Sequence, residues 1–322
     1  MTAVPAPRIR ALNAAPIDPG AGMVLYWMIA SRRLTSNFAL QRAADAARDL
    51  RKPLVIFEAI RAGYRFASDR LHRFVLDGMA EHARALASTQ VTYLPYVEPA
   101  AGAGHGLLEA LAADACLVVT DDFPCFFLPR MTAAAALRLR VRIEAVDSSG
   151  LLPMRAAGRP FSSAFAFRAH VQKTVRDELA NWTAPIDLAA LPPRWTGPAS
   201  PITARWPMAP LDALSAPEAL LARLPIDHGV EPVRTRGGAA AARAALDRFV
   251  GEAIGRYAVD HRQPEIEGTS RLSPYLHFGH IGAHEVFAAV MTAERWTTRR
   301  LSPRGGGRRE GWWGVGAGAR AF

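Results

Sequence analysis

Near-continuous apolar runs alternate with amphipathic stretches through the first half of the chain. "MVLYWMI" (23–29), "PLVIFEAI" (53–60), "VTYLPYV" (91–97), "CLVVTDD" (116–122) and "RIEAVDS" (142–148) are rich in Val, Ile and aromatics, as strands buried on both faces should be. Between them the polar positions fall into helical spacing over 37–50, 69–88, 106–114 and 128–140. In the second of these, Leu71, Phe74, Val75 and Met79 share one face and Ser68 stands at the N-cap position. Strict alternation of strand and helix predicts a doubly wound, Rossmann-like parallel sheet of five strands, covered by helices on both faces. With a further helix over 163–180, this α/β domain fills residues 20–180.

The texture then changes. Ten of the 24 prolines fall between 181 and 235 (185, 192, 193, 198, 201, 207, 210, 217, 225 and 232), a density that blocks long helices and central strands. A surface connector between domains is expected there, with Trp182, Trp195 and Trp206 as its anchors. From Gly237-Gly238 onward the spacing is helical again: Leu246, Phe249, Val250, Ile254 and Tyr257 line one face. Residues 236–296 therefore read as an all-α unit. The last stretch, 297–322, is rich in Gly and Arg and predicts disorder, because each interior glycine costs a helix about 1 kcal/mol.

Composition narrows the class. Half of the 322 residues are hydrophobic and 21% are charged, as in a soluble globular protein. The longest apolar run, "MVLYWMIA" (23–30), is too short for a bilayer, which needs roughly 20 residues, and it lacks a signal-peptide cleavage site. Cys116 and Cys125 form neither a metal-type pair nor a disulfide framework, so a reduced, cytoplasmic setting is expected. The net charge of +10 points toward nucleic acid, but seven arginines in 295–322 face only Glu310 and supply six of those ten charges.

Several motifs invite chemistry. "GAGHG" (102–106) is not a dinucleotide fingerprint, since Leu107 stands where its third glycine belongs; it reads as a flexible loop. His277, His280 and His284 lack the second histidine of a zinc helix, so no metal is expected. Asp121 and Asp122 close the fourth strand, either as a capped strand end or at the place where open α/β sheets bind ligands. The strongest local signal is "EGTSRLSPYLHFGHIGAHEVF" (267–287). There Thr269, Ser270 and Ser273 gather ahead of Pro274 with Arg271 among them, and Ser273 is the expected N-cap. Hydroxyls, a cation and a helix tip suit an anionic group, while the plainer alternative is a capped turn between two helices.

"GTSRLSPYLHFGHI" (268–281) closely resembles the flavin-binding segment of the photolyase/cryptochrome family, and its LSPYLHFG form points to class II cyclobutane pyrimidine dimer DNA photolyases. "GGAAAARAALDRFV…RYAVDHRQPEIEGTS", "YWMIASRRLTSNFAL" and "ASDRLHRFVLDGM" extend the likeness over roughly residues 22–290. The resemblance implies an antenna-type α/β domain, with an antenna chromophore of unknown identity, and an incomplete flavin-binding domain. FAD is the implied cofactor. Tyr257, Thr269, Ser270, Leu272 and Ser273 match its phosphate contacts, with Arg271 alongside, and Arg262 falls near positions that face DNA. The implied activity is a lyase reaction in which reduced flavin, excited by light, splits pyrimidine dimers in DNA; a monomer is implied. The alternatives are a cryptochrome-like photoreceptor without repair and a non-catalytic remnant. Since the family continues well past this point, the chain reads as C-terminally truncated. Its catalytic residues are expected beyond Phe322, and its flavin binding is expected to be weak or nil.

Overall fold

The computed structural model describes residues 3–197 and 199–322; Pro198, one of the ten connector prolines, lies outside them. The chain runs β1 (Ile9–Ala11), β2 (Met23–Met28), α1 (Phe38–Leu50), β3 (Leu54–Ile60), α2 (Asp69–Leu86), β4 (Thr92–Val97), α3 (Leu107–Ala112), β5 (Ala115–Asp121), α4 (Leu128–Arg138) and β6 (Ile143–Val146). All five expected strands form, and they pair in parallel in the order β6-β5-β2-β3-β4. A sixth, β1, adds to β6 in antiparallel sense and makes the sheet six-stranded rather than five. Three residues with an arginine in the middle leave no apolar period to read. What holds β1 is pairing with the edge strand and the bond from Arg10 Nη2 to Asp122 at 3.2 Å.

Pleat alternation divides the sheet into two cores. Met23, Leu25 and Trp27 point to one face with Val55, Phe57 and Val118, under α3 and α4. Val24, Tyr26 and Met28 point to the other with Leu54, Ile56 and Val119, under α1. Each such fully buried side chain contributes about 1.5–3 kcal/mol relative to exposure. Asn37 caps α1 by accepting from Leu40 N at 3.0 Å. Ser68 occupies the N-cap of α2 as expected but makes no side-chain cap; its carbonyl instead accepts from His72 N at 2.9 Å.

After α5 (Ala164–Glu178) the proline-rich connector carries three short helices, α6 (Ala199–Arg205), α7 (Leu211–Ser215) and α8 (Glu218–Leu221), none long enough to conflict with its prolines. Two tryptophans pin it to the α/β domain: Trp195 donates to Asp114 Oδ2 at 2.8 Å and Trp206 to the Ala103 carbonyl at 3.0 Å. Leu214, Leu221 and Leu224 bury themselves against Leu76 and Met79 of α2.

The helical unit follows as α9 (Ala239–Arg248), a π-turn over Phe249–Ala253, α10 (Tyr257–Asp260), α11 (Ser273–His277) and α12 (Ala283–Ala293). It docks through glycines. A Cβ on Gly237 would sit 1.8 Å from the Phe74 carbonyl oxygen, and one on Gly279, at φ +74°, 1.8 Å from the Ala30 carbonyl oxygen.

The expected disorder of 297–322 is not what the structure shows. Leu301 and Trp312 are buried with Val175 and Leu179 of α5, and Gln172 bonds both Gly307 N (2.7 Å) and the Arg308 carbonyl (2.6 Å). A final helix, α13 (Ala317–Ala321), presses Gly318 onto the Ile254 carbonyl. The glycines serve positive-φ turns at 307, 311 and 314, and two buried apolar side chains outweigh a composition that reads as disordered. Among the described residues no helix is long and apolar enough to cross a membrane.

Gly279→Ala should destabilise the chain by about 2–4 kcal/mol in urea unfolding, through both its left-handed backbone and the clash with Ala30. Gly251→Ala, where a Cβ meets nothing within 4 Å, should be neutral or stabilising by up to about 1 kcal/mol. Equal losses at both positions would contradict the docking geometry.

Candidate functional site

The segment ahead of α11 is shaped by one buried anchor and one tight contact. Leu272 is fully buried with Phe74, Leu246 and Tyr275. Gly268 lies so close to Asp260 that a Cβ would come within 2.6 Å of its backbone and side chain, which seats the loop against the end of α10. Between these points the chain turns outward. Thr269, Arg271 and Ser273 are exposed, Ser270 is half-buried, and Arg271 adopts φ +54° while pairing with Glu267. Ser270 Oγ accepts from Leu272 N at 3.4 Å.

Two expectations about this turn need correction. Leu272, not Ser273, holds the N-cap position; Ser273 is already the first helical residue and caps nothing. The helix is only five residues long, too short for a substantial helix dipole. What remains for an anion is the set of surface hydroxyls and the Arg271 guanidinium.

Tyr257 opens α10, the short helix whose last residue, Asp260, is touched by Gly268. Its ring stacks on His261 at 4.7 Å and meets Phe249 and Phe322 edge-on at 5.4 Å. Arg262 is exposed and has no ion-pair partner among the described residues. The loop is thus joined to α10 through Gly268 and Asp260, while neither of the two described cavities touches Thr269, Ser270 or Ser273.

The other motifs resolve into structure. Asp121 accepts from Ile29, Ala30 and Ser31 N at 2.7–3.0 Å and from the Tyr26 hydroxyl at 2.8 Å, so it caps the strand end and fills the crevice from within. Glu98 Oε1 accepts from Gly102 and Gly104 N, which ties down the "GAGHG" loop. The three histidines do not converge. His277 is exposed against Phe126, His280 stacks on Phe74, and His284 lies between Phe38 and Trp182.

Sequence reading missed a buried polar cluster. Glu58 on β3 bonds Arg32 (2.6 Å), His82 (2.8 Å) and the Tyr93 hydroxyl (2.6 Å). Burial would raise the Glu58 pKa, but the His82 ring, Arg32 and Tyr93 more than reverse this and hold it at about 2. Nearby, His280 accepts from Gly238 N at 2.9 Å through Nδ1, while its buried Nε2 has no partner. Burial, assisted by His82 and Arg32, lowers its pKa to about 3. Burial with Arg8 and Arg33 lowers that of His284 to about 4, and neither of its ring nitrogens is bonded.

These depressed histidines set a pH window. Unfolded, both bind a proton below about pH 6.5; folded, they stay neutral down to about 3 and 4. Stability is therefore full above about pH 6.5 and falls on acidification, by up to about 2.7 kcal/mol per pH unit from the two rings. Glu58 adds its own loss only below about pH 4.5. His284→Phe should roughly halve the slope of urea stability between about pH 6 and 4.5, because one of the two protons is removed. An unchanged slope would show that His284 titrates normally in the fold.

No protein-family model matches the chain. It is 28% identical over 281 residues to the deoxyribodipyrimidine photo-lyase of Methanothermobacter thermautotrophicus, covering 86% of this chain and 58% of the relative. To the enzyme of the same name from Oryza sativa subsp. japonica it is 30% identical over 312 residues, covering 92% and 57%. To that of Arabidopsis thaliana it is 26% identical over 290 residues, covering 86% and 55%. The chain thus spans little more than half the length of the curated relatives it matches. Its fold is shared with a bacterial class III photolyase from Agrobacterium tumefaciens, with a TM-score of 0.56 at 18% identity over 90% of this chain and 56% of that one. In sequence the chain is similar to deoxyribodipyrimidine photo-lyases, and in fold to a class III photolyase.

Proposed function

We propose that the chain serves light-dependent DNA repair, splitting cyclobutane pyrimidine dimers, and that its LSPYLHFG segment belongs to the class II form of that activity. The observation that supports the reading is the exposed turn carrying Thr269, Ser270, Arg271 and Ser273, which Gly268 seats against the end of α10, the helix that Tyr257 opens. FAD is the cofactor proposed for this corner; when bound, it supplies the light-driven electron that opens the dimer and recovers it afterwards. The hydroxyls of Thr269, Ser270 and Ser273 can donate to its phosphate oxygens. The Arg271 guanidinium, balanced by Glu267, adds positive charge beside them. Tyr257, packed on three rings, is held rigidly enough to bound one side. Arg262, exposed just after α10, is proposed to face DNA phosphate. The residues fit a diphosphate contact. Neither of the two described cavities is lined by them, and they stand on the surface.

Three consequences follow for the 322-residue chain. As purified it should carry well under one equivalent of flavin, read from visible absorbance; near-stoichiometric flavin would contradict the one-sided corner. In fluorescence titrations FAD should bind more tightly than riboflavin, which lacks phosphate. Thr269→Ala combined with Ser273→Ala should erase that preference, by about tenfold. Saturated with reduced FAD and illuminated, the protein should deplete dimers from irradiated DNA. Flavin binding with no loss of dimers in light would remove the repair assignment and leave a photoreceptor.

A further inference from the structure

The fold collects the chain's positive charge in one place. Residues 155–176 contain five Arg or Lys and residues 295–309 contain six, and neither segment has a single Asp or Glu. Of the chain's 39 basic residues, 28 remain elsewhere, against 29 carboxylates. The net charge of +10 thus resides in these two segments, some 130 positions apart in sequence. Even with the flanking Asp177, Glu178, Glu294 and Glu310 included, the excess is seven.

The structure lays the two segments side by side. Gln172 on α5 bonds Gly307 N and the Arg308 carbonyl, Arg176 donates to the Thr298 carbonyl at 3.4 Å, and Leu301 is buried against Val175. Of the eleven cations only Arg155 has a carboxylate partner among the described residues, Asp122 at 3.1 Å. Phe165 and Phe167 stand 55% and 48% exposed on α5 amid these cations.

At one end of this surface lies a cavity of about 500 Å³ between the end of α5 and α12. Trp182, Phe287 and Trp296 wall it, and Arg295, Thr297 and Thr298 form its exposed rim. Both indole N–H groups are already engaged, Trp296 with the Trp313 carbonyl at 2.6 Å and Trp182 with the Leu179 carbonyl. The indoles therefore offer no donor for a base-specific hydrogen bond.

Unpaired guanidinium groups beside recessed aromatic walls are the chemistry of single-stranded nucleic acid binding, in which phosphates meet cations and bases stack without sequence preference. We propose that the surface formed by 155–176 and 295–309 binds single-stranded nucleic acid, with one unpaired base seated in the Trp182–Phe287–Trp296 cavity. This contact needs neither lesion, light nor flavin, so it goes beyond the repair reading and stands apart from the corner at 269–273. A lipid surface or an acidic protein would use the cations but leave the recessed cavity empty.

The test is anisotropy with a labelled oligothymidylate of about 16 nucleotides, undamaged and in the dark, titrated between about 50 and 200 mM salt. Binding should weaken with salt and exceed that of the matching duplex. Neutralising Arg299, Arg304 and Arg308 together to Gln, none of which makes a side-chain bond in the fold, should lower the log–log salt slope by about 2 and the affinity at about 0.1 M salt by about a hundredfold. The same change at Arg130, Arg140 and Arg223, exposed elsewhere, should do much less. Trp296→Leu should cost about tenfold in single-strand affinity with the salt slope unchanged. Ala288→Phe, which fills the cavity without removing a wall, should do the same. Equal losses from the two arginine triples, no preference over duplex, or indifference to both cavity variants would each overturn the proposal. Tighter binding to acidic phosphatidylserine vesicles than to the oligonucleotide would overturn it in favour of a membrane partner. Because no flavin or lesion is present, failure here leaves the repair assignment untouched, and loss of dimer splitting leaves this result untouched.

Discussion

The arrangement of the two halves depends on one buried cation. Arg33 is 3% exposed and has no ion-pair partner among the described residues; its guanidinium donates to the carbonyls of Ser36, Ser148 and Gly279 at 3.0–3.1 Å. Those three oxygens belong to the loop after β2, the end of β6 and the turn between α11 and α12. Burial depresses the Arg33 pKa, yet a guanidinium remains charged where an ammonium would not, and its planar fork can serve three acceptors at once. A buried charge is tolerable only when its donors are engaged. The turn at Gly279 therefore has to close on Ala30, which is why that position has no room for a side chain. The hydroxyl-bearing loop at 269–273 inherits its place from this contact, because α11 begins where that loop ends.

The same region explains why the sheet's own crevice holds no candidate site. Doubly wound sheets bind ligands at the carboxyl ends of the strands where the order reverses, here between β2 and β5. In this chain the amides of Ile29, Ala30 and Ser31, a ready anion nest, are all taken by Asp121. Asn37 extends the network to Tyr26 and to the carbonyls of Ser31 and Arg33. An internal carboxylate has taken the place a phosphate could occupy, and the loop it rigidifies carries Arg33. The crevice has become the socket for the helical unit.

Much of the α/β architecture was legible because buried parallel strands are written as unbroken apolar runs, and those signals are local. β1 was not, since three residues carry no period and owe their conformation to the neighbouring strand. The cluster of Arg32, Glu58, His82 and Tyr93 was invisible for a related reason: its members come from a loop, two strands and a helix, and no spacing links them. The tail from 297 to 322 misled because glycine and arginine content argued for disorder, while Leu301 and Trp312 found a surface on α5 that only the fold supplies. At the candidate corner, the hydroxyls stood out by composition. Their grouping with Tyr257 rests on likeness to a family and not on any periodicity, and the cap assigned to Ser273 slipped by one residue.

Net charge was the least informative number in the sequence and became informative only once folded. Charges interact appreciably when they lie within about a Debye length, near 10 Å at 0.1 M salt. In the sequence, the cations of α5 and those of the tail are separate runs, and the tail alone appeared to explain the excess. Folding holds them together through one glutamine amide and two buried apolar side chains, against their mutual repulsion. Among the described residues only Arg155 of the patch has a carboxylate partner to offset that repulsion, so the remaining excess opposes the folded arrangement and is relieved by any polyanion that lies across it. A partner that binds only the folded arrangement stabilises it by mass action. The tail is thus held by a weak local balance that an external anion can strengthen.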